Sequence, residues 1–440
     1  MQWATFPPAH NSLGGFMDTG DTAWILASSA LVLLMTPGLA FFYGGMVRSK
    51  TVLNMMMMSF LALAIVPVLW VLYGYSIAFS PEGNRWVGGF ERLGLDNISV
   101  GTAYGTIPEY VFVAFQLMFA IITVALISGA IADRAKFGAW ALFVVIWMTV
   151  VYFPVAHWVF DFGDNGGWIA TKLQAFDFAG GTAVHINAGA AGLALALVLG
   201  KRVGWKRDPM RPHNLPFVLL GAGLLWFGWF GFNAGSAVGS NGLAGLAFVN
   251  TAVATAAAML GWLLVEVVRD KKATSLGGAS GAVAGLVAIT PACGTLSPVG
   301  SIGLGIIAGV ICALAVGLKY KFGYDDSLDV VGVHLVGGLV GTLLIGFLAT
   351  KTNAGGKANA GLLYGGDFSQ LGKQAVAAGA VLAYSFILTY VIGKLIDVTI
   401  GFRISEEDEV LGIDQVEHLE TAYDEAGIIG GSALKTGVRA

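Results

Sequence analysis

The sequence predicts an all-α polytopic membrane protein of eleven transmembrane helices, built as two inverted five-helix halves with an eleventh helix outside the repeat. Three observations lead there: a composition too apolar for a soluble chain, long runs without charge, and a motif that recurs in both halves. Of 440 residues, 56% are hydrophobic, 12% are charged and 63 are glycine. An average soluble protein carries about 25% charge and about 7% glycine. Half that charge and twice that glycine exclude an ordinary cytosolic enzyme, a disordered chain and a nucleic-acid binder. Glycine in such a chain serves close helix contact. The net charge of −3 says nothing of partners. Cys293 and Cys312 lie in apolar stretches and form no disulfide framework.

The uncharged runs are Thr22–Val47, Thr51–Pro81, Tyr110–Ala132, Phe137–Phe160, Phe178–Gly200, Pro212–Val265, Ala273–Leu318, Val330–Thr350 and Gln374–Gly393. A span needs about 20 residues, so the run from Pro212 holds two helices, broken between Gly235 and Gly242. The run from Ala273 also holds two, divided near Pro291 to Pro298. The total is eleven. Alternate loops between helices hold fourteen Lys/Arg on one side and six on the other, Lys357 among the six. The richer side is cytoplasmic, which puts the N-terminus outside and the C-terminus inside. Residues 1–20 hold no Lys or Arg and so show no signal-peptide n-region. The expected organisation is an extracellular segment 1–20, a transmembrane domain 21–402 and a cytoplasmic tail 403–440. The tail is acidic, from Glu406 through Asp414, Glu417, Asp424 and Glu425. It reads as a solvated terminus, with a docking segment for a cytosolic partner as the alternative.

The repeat is read from Asp177-Phe178-Ala179-Gly180-Gly181-Thr182-Ala183-Val184-His185 in helix 5 and Asp329-Val330-Val331-Gly332-Val333-His334 in helix 10. Each enters with an aspartate and reaches a histidine, from opposite faces of the membrane. A looser pair sets Pro37 to Gly45 of helix 1 against Trp229 to Gly235 of helix 6. Inverted repeats place a site at their interface near mid-membrane. Ionisable groups inside a bilayer are costly and mark function, which singles out His185 and His334. Asp177 and Asp329 read as helix N-caps. Counted as full spans at 1.5 Å per residue, the two helices place their histidines on opposite sides of the membrane centre. They meet only if both aspartates are drawn in from the surface. His157 reads as an interfacial, hydrogen-bonded residue off the pathway. Phe119, Phe160, Phe232 and Ser236 complete the inventory, although most membrane aromatics are packing or belt residues. No metal-ligand spacing, phosphate loop or nucleophile elbow is present, so no cofactor, metal or enzymatic activity is expected.

The segment Asp177 to Gly189 closely resembles the signature of the ammonium transporter (Amt/Mep/Rhesus) family, in its bacterial Amt form. So do Trp229-Phe230-Gly231-Phe232-Asn233-Ala234-Gly235-Ser236, Ile289-Thr290-Pro291-Ala292-Cys293-Gly294, the Asp329 to His334 string, and Gly401-Phe402-Arg403-Ile404-Ser405-Glu406-Glu407. The resemblance implies a homotrimer in the plasma membrane, with one pore per subunit. It implies that His185 and His334 share a hydrogen bond in the pore, that Phe119 and Phe232 stack to close its outer entrance, and that Ser236 with Phe119 and Phe160 forms an external ammonium site. Asp177 would support that site without direct contact; Trp229 and Thr290 match pore-side positions. Phe160 stands where family members often carry tryptophan, and a phenylalanine face binds cations less well. The external site would then be weaker, or Trp158 would contribute in its place.

Ammonium suits such groups. It offers donors to a hydroxyl and charge to aromatic faces, worth about 0.5–2 kcal/mol per ring. Moving an unpaired ion into low dielectric costs on the order of 20 kcal/mol. Deprotonating it at neutral pH costs roughly 5 kcal/mol, taking an amine pKa of about 10.4. Sodium and potassium have no proton to lose. The expected function is therefore capture outside, deprotonation, and ammonia conduction, with proton co-translocation open. The alternative is an ammonium sensor that signals through the tail, with a PII-type regulatory protein as the partner the resemblance suggests.

Overall fold

An uncharged segment in lipid has to satisfy its backbone internally, and a helix does so within one segment. The structure, a computed structural model, describes residues 17–356 and 359–423. Among the described residues, ten helices have the length and hydropathy of a span: α1 (Thr19–Met46), α2 (Ser49–Phe79), α3 (Glu109–Ile131), α4 (Phe137–Phe160), α5 (Gly181–Leu199), α6 (Leu215–Gly235), α7 (Gly242–Asp270), α9 (Pro298–Phe322), α10 (Val331–Leu348) and α11 (Phe368–Ile400). The eighth expected span is α8 (Ser275–Ile289), apolar but only 15 residues long. It is shorter than the about 20 residues of a full span and lies buried among α6, α7, α9 and α10. The two long runs break where glycine and proline place the breaks. Asn241 caps α7 by accepting the amides of Leu243 and Ala244, and Ser297 caps α9 through Gly300.

Helices sharing the looser motif lie together: α1 runs along α6. A Cβ on Gly221 of α6 would sit 2.3 Å from the backbone nitrogen of Phe42, so the contact depends on a bare backbone. The same holds where α5 meets α10, since a Cβ on Gly189 would lie 2.4 Å from the nitrogen of Leu335. The two histidine helices enter from opposite ends of α3. The residues before α5 share a vestibule with Phe112, Phe115 and Gln116, near the N-terminal end of α3. Those before α10 bond to its other end, Leu328 N–H donating to Gly129 O and Ser327 N–H to Ala130 O.

A buried charge network ties the loops at that second end. Arg202 grips Asp325 at 2.9 Å and Asp133 at 3.1 Å, and Arg48 reaches Asp133 at 3.3 Å. The tail joins it, which corrects the solvated-terminus reading for its described part. Glu409 and Asp414 are buried. Glu409 pairs with Arg403 at 2.8 Å and accepts the amide of Val203. Asp414 accepts the amides of Leu53 and Asn54 at the start of α2, and Glu417 that of Phe137 at the start of α4. Helix N-termini present unpaired N–H groups and favour negative charge; the acidic tail supplies it. Glu406, Glu407 and Glu420 are exposed. Most of segment 1–20, Lys357, Asp424 and Glu425 lie outside the described residues.

Candidate functional site: a vestibule, a ring stack and paired histidines

Both histidine helices open with a wide π-helical turn, Gly181–Ile186 and Val331–Leu335, a distortion that gathers at functional sites. A residue at positive φ precedes each turn, Gly180 at 114° and Asp329 at 63°. The Asp177 carboxylate accepts the amides of Gly180 (2.8 Å), Gly181 (2.6 Å), Thr182 (2.7 Å) and Ala183 (3.3 Å), and the Thr182 hydroxyl also donates to it. In α10 that work falls to Asp326, which accepts from Val330 at 3.1 Å and Val331 at 2.8 Å. The expected cap, Asp329, does not perform it. Asp329 itself makes the left-handed reversal, and its carboxylate turns to Lys319 at 2.7 Å. With Asp326 as the cap, aspartate and histidine stand eight positions apart in both halves, and Gly180 corresponds to Asp329.

The histidines meet. His185 Nδ1 and His334 Nδ1 are 3.3 Å apart, with ring centroids at 5.4 Å and both side chains buried. One Nδ1 donates and the other accepts, so the neutral pair holds one proton between the rings. A doubly protonated pair would set N–H against N–H. The Nε2 of His185 has no hydrogen-bond partner among the described residues. Both rings line a constriction of about 10 Å³ whose other walls include Met35, Leu39, Trp229 and Phe232, about the least space that admits one water-sized molecule.

Toward the vestibule from His185 lies Phe232, ring centroids 6.1 Å apart, stacked in turn on Phe119 at 4.2 Å and 29°. Phe160 meets Phe119 edge-on at 6.2 Å. Beyond the stack opens a vestibule of about 330 Å³ whose walls include Gln116, Phe119, Phe160, Asp177 and Ser236. The Ser236 hydroxyl donates to Phe232 O at 2.8 Å, which leaves its lone pairs free to accept. Trp229 stacks on His185 at 5.4 Å, and its indole N–H donates to Thr290 Oγ1 at 2.9 Å. Trp229 thus lines the constriction and Thr290 holds it. Trp158 is not a vestibule residue. Its N–H donates to Trp86 O, and its ring packs on Trp86, Trp168 and Tyr384. His157 is hydrogen-bonded between Ala78 O and Asn84 O, beside Asp161. Sequence reasoning passed over Asp326 and Gln116; for Asp326 the eight-residue spacing was the available signal.

A wide vestibule, a ring stack and a narrow, mostly apolar constriction inside a helical membrane bundle define a transport protein. The chain matches the Ammonium Transporter Family over residues 23–423. It is 61% identical to an ammonium transporter of Mycobacterium tuberculosis, over 96% of this chain and 93% of the relative, and 50% identical to one of Bacillus subtilis, over 93% and 100%. Among solved structures it resembles Candida albicans Mep2, with a TM-score of 0.82, 36% identity and coverage of 89% and 88%. It also resembles a structure described as a "Sensor Amt Protein", with a TM-score of 0.84, 27% identity and coverage of 91% and 98%. The chain belongs to the ammonium transporter family. The relatives carry the name of a transporter, not of an enzyme.

Proposed function

We propose that the protein captures ammonium in the vestibule, strips its proton at the Phe119–Phe232 stack and conducts ammonia past His185 and His334. Ser236, Phe119 and Phe160 form the capture site, Asp177 holds the helix start beside it, and Trp229, held by Thr290, walls the pore. The observation that carries this reading is the ring stack standing over paired, buried histidines in a constriction of about 10 Å³. An ion that keeps its charge pays the full desolvation cost there, whereas ammonium sheds its proton for roughly 5 kcal/mol. The working form is a homotrimer in the plasma membrane, N-terminus outside and tail inside, as supported by the fourteen-to-six bias of basic loop residues.

Replacing His185 or His334 with alanine is expected to lower methylammonium uptake at least tenfold or to admit potassium, with assembly retained. Wild-type uptake and potassium exclusion in both variants remove the histidines from the mechanism. Ammonium-evoked current in proteoliposomes decides whether the proton crosses as well, since a neutral channel gives none. The likeness to the sensor structure supports a second reading, signalling through the tail to a PII-type partner. Deletion from Gly412 onward separates the two: normal uptake with lost partner binding confines the tail to regulation.

A further inference from the structure

The amide of Gln116 stands one helical turn before Phe119 on α3, in the wall of the same vestibule that holds Ser236 and Phe160. It is 7% exposed, and its Oε1 is buried without a hydrogen-bond partner among the described residues. A buried amide oxygen left unpaired is costly, and the cost is greatest where the surroundings are apolar. Phe115, Phe119 and Phe160 share the vestibule wall with it, as do the polar Gln174, Asp177 and Ser236. A side chain of the same length without polar atoms would fill the space free of that cost. The amide end can turn about its last torsion, which is broad and roughly two-fold, and the turn exchanges oxygen and nitrogen without moving the chain. In one of the two orientations the oxygen, the acceptor of the amide, turns to the vestibule.

Ammonium carries four N–H donors. In the proposed site it finds one hydroxyl acceptor at Ser236 and ring faces at Phe119 and Phe160. A phenyl face holds a cation less strongly than an indole does, and one hydroxyl leaves most of the donors unsatisfied. A second acceptor in the wall of the same vestibule meets both deficits. We infer that Gln116 is a substrate-binding residue of the outer vestibule, its side-chain carbonyl accepting an N–H from ammonium before the ion reaches the ring stack. The inference rests on the proposed transport reading and adds a specificity element to it. A bare alkali cation would also be drawn to a carbonyl, but it gains no directed hydrogen bond from a site built of two separated acceptors. The same geometry favours ammonium and methylammonium, with four and three donors, over trimethylammonium, with one.

Concentration-dependent methylammonium uptake by the full-length protein in proteoliposomes tests this, using Gln116→Met, Gln116→Glu and Ser236→Ala. Gln116→Met keeps length and approximate volume and removes the acceptor. Its half-saturating concentration should rise about tenfold or more, the size expected for a lost hydrogen bond to a charged group, while the maximal rate stays within about twofold. Gln116→Glu restores an acceptor and should not raise the half-saturating concentration; because it retains the oxygen, it decides the matter even if the methionine variant fails to fold. An unchanged value in Gln116→Met, or a rise in Gln116→Glu, overturns the inference. If Ser236→Ala raises the half-saturating concentration and Gln116→Met does not, Gln116 alone is dismissed. If neither variant moves it, the vestibule is not the capture site and the proposed reading fails with it.

Discussion

The two histidine segments begin alike and end in unlike surroundings. Asp177 and Asp326 each stand eight residues before a histidine, each feeds a positive-φ residue into a π-helical turn, and each holds that turn by accepting backbone N–H groups. Around Asp177 the chain opens to a vestibule walled by aromatic rings. Around Asp326 it closes, with Lys319 bonded to the Asp326 carbonyl and to Asp329, and with Arg134 bonded to Asp325 O and Ser327. Matching local chemistry positions the two rings; what packs around each start decides which end is an open mouth. The Asp177 carboxylate at the vestibule also works harder, taking four amides and a hydroxyl against two amides at the closed end.

That difference in load is the first place to break the comparison. Asp177→Ala orphans more donors than Asp326→Ala, at about 1–3 kcal/mol for each buried group left unpaired. The Asp177 variant should lose roughly 3 kcal/mol or more and the Asp326 variant about 2 kcal/mol, read as unfolding midpoints of the purified protein in detergent. The opposite ranking would mean that the carboxylates do not carry the helix starts as described.

A second test exploits the matched positive-φ positions. A Cβ on Gly180 would lie 2.6 Å from Val184 Cγ2 at φ 114°. Gly180→Ala should cost about 1–2 kcal/mol, the penalty for a side chain in left-handed backbone. At the inner end Asp329→Gly relieves about the same strain but gives up a part-exposed ion pair worth at most about 1 kcal/mol, so stability should barely change. Equal losses at both positions would show that the shared φ is incidental.

The smallest effect concerns pH. Burial pushes the Asp133 carboxyl up, but the charges of Arg202 and Arg48 and the Thr51 hydroxyl outweigh it and hold the group below its ordinary range. Asp325 is held down likewise, by Arg202 and Arg134 against its burial. A carboxylate depressed in the folded state contributes stability above its unfolded pKa, about 3.9, and loses it as pH falls through the folded value. The unfolding midpoint should therefore drop below about pH 4, and Asp133→Asn should flatten that drop. An unaltered acid profile in Asp133→Asn would assign the loss elsewhere.

Much of this molecule is legible in the sequence because lipid leaves a chain few choices. Uncharged runs become helices, Gly235 to Gly242 and Pro291 to Pro298 become breaks, and His185 and His334 stand out because little else inside the membrane can ionise. What stayed hidden depends on three-dimensional neighbours. Asp329 reads as the cap because it opens the uncharged run, until its backbone turns left-handed and Asp326 takes the amides. The π-helical turns that help bring the histidines together have no mark in a 1.5 Å-per-residue count, which put the rings on opposite sides of the membrane centre. The acids of the tail look solvated because the helix starts of Leu53 and Phe137 that they cap lie hundreds of residues away. Gln116 reads as one polar residue in an apolar helix until its unpaired oxygen and its place in the vestibule wall are seen together.

The most direct test of the central claim compares ion and ammonia passage through the same purified protein. Proteoliposomes are given either an ammonium or a potassium gradient, and flux is followed by internal pH and by potassium release. A constriction that admits only what sheds a proton predicts a rapid ammonium response and a potassium flux equal to that of protein-free vesicles. Potassium passing at a rate comparable to ammonium would contradict it.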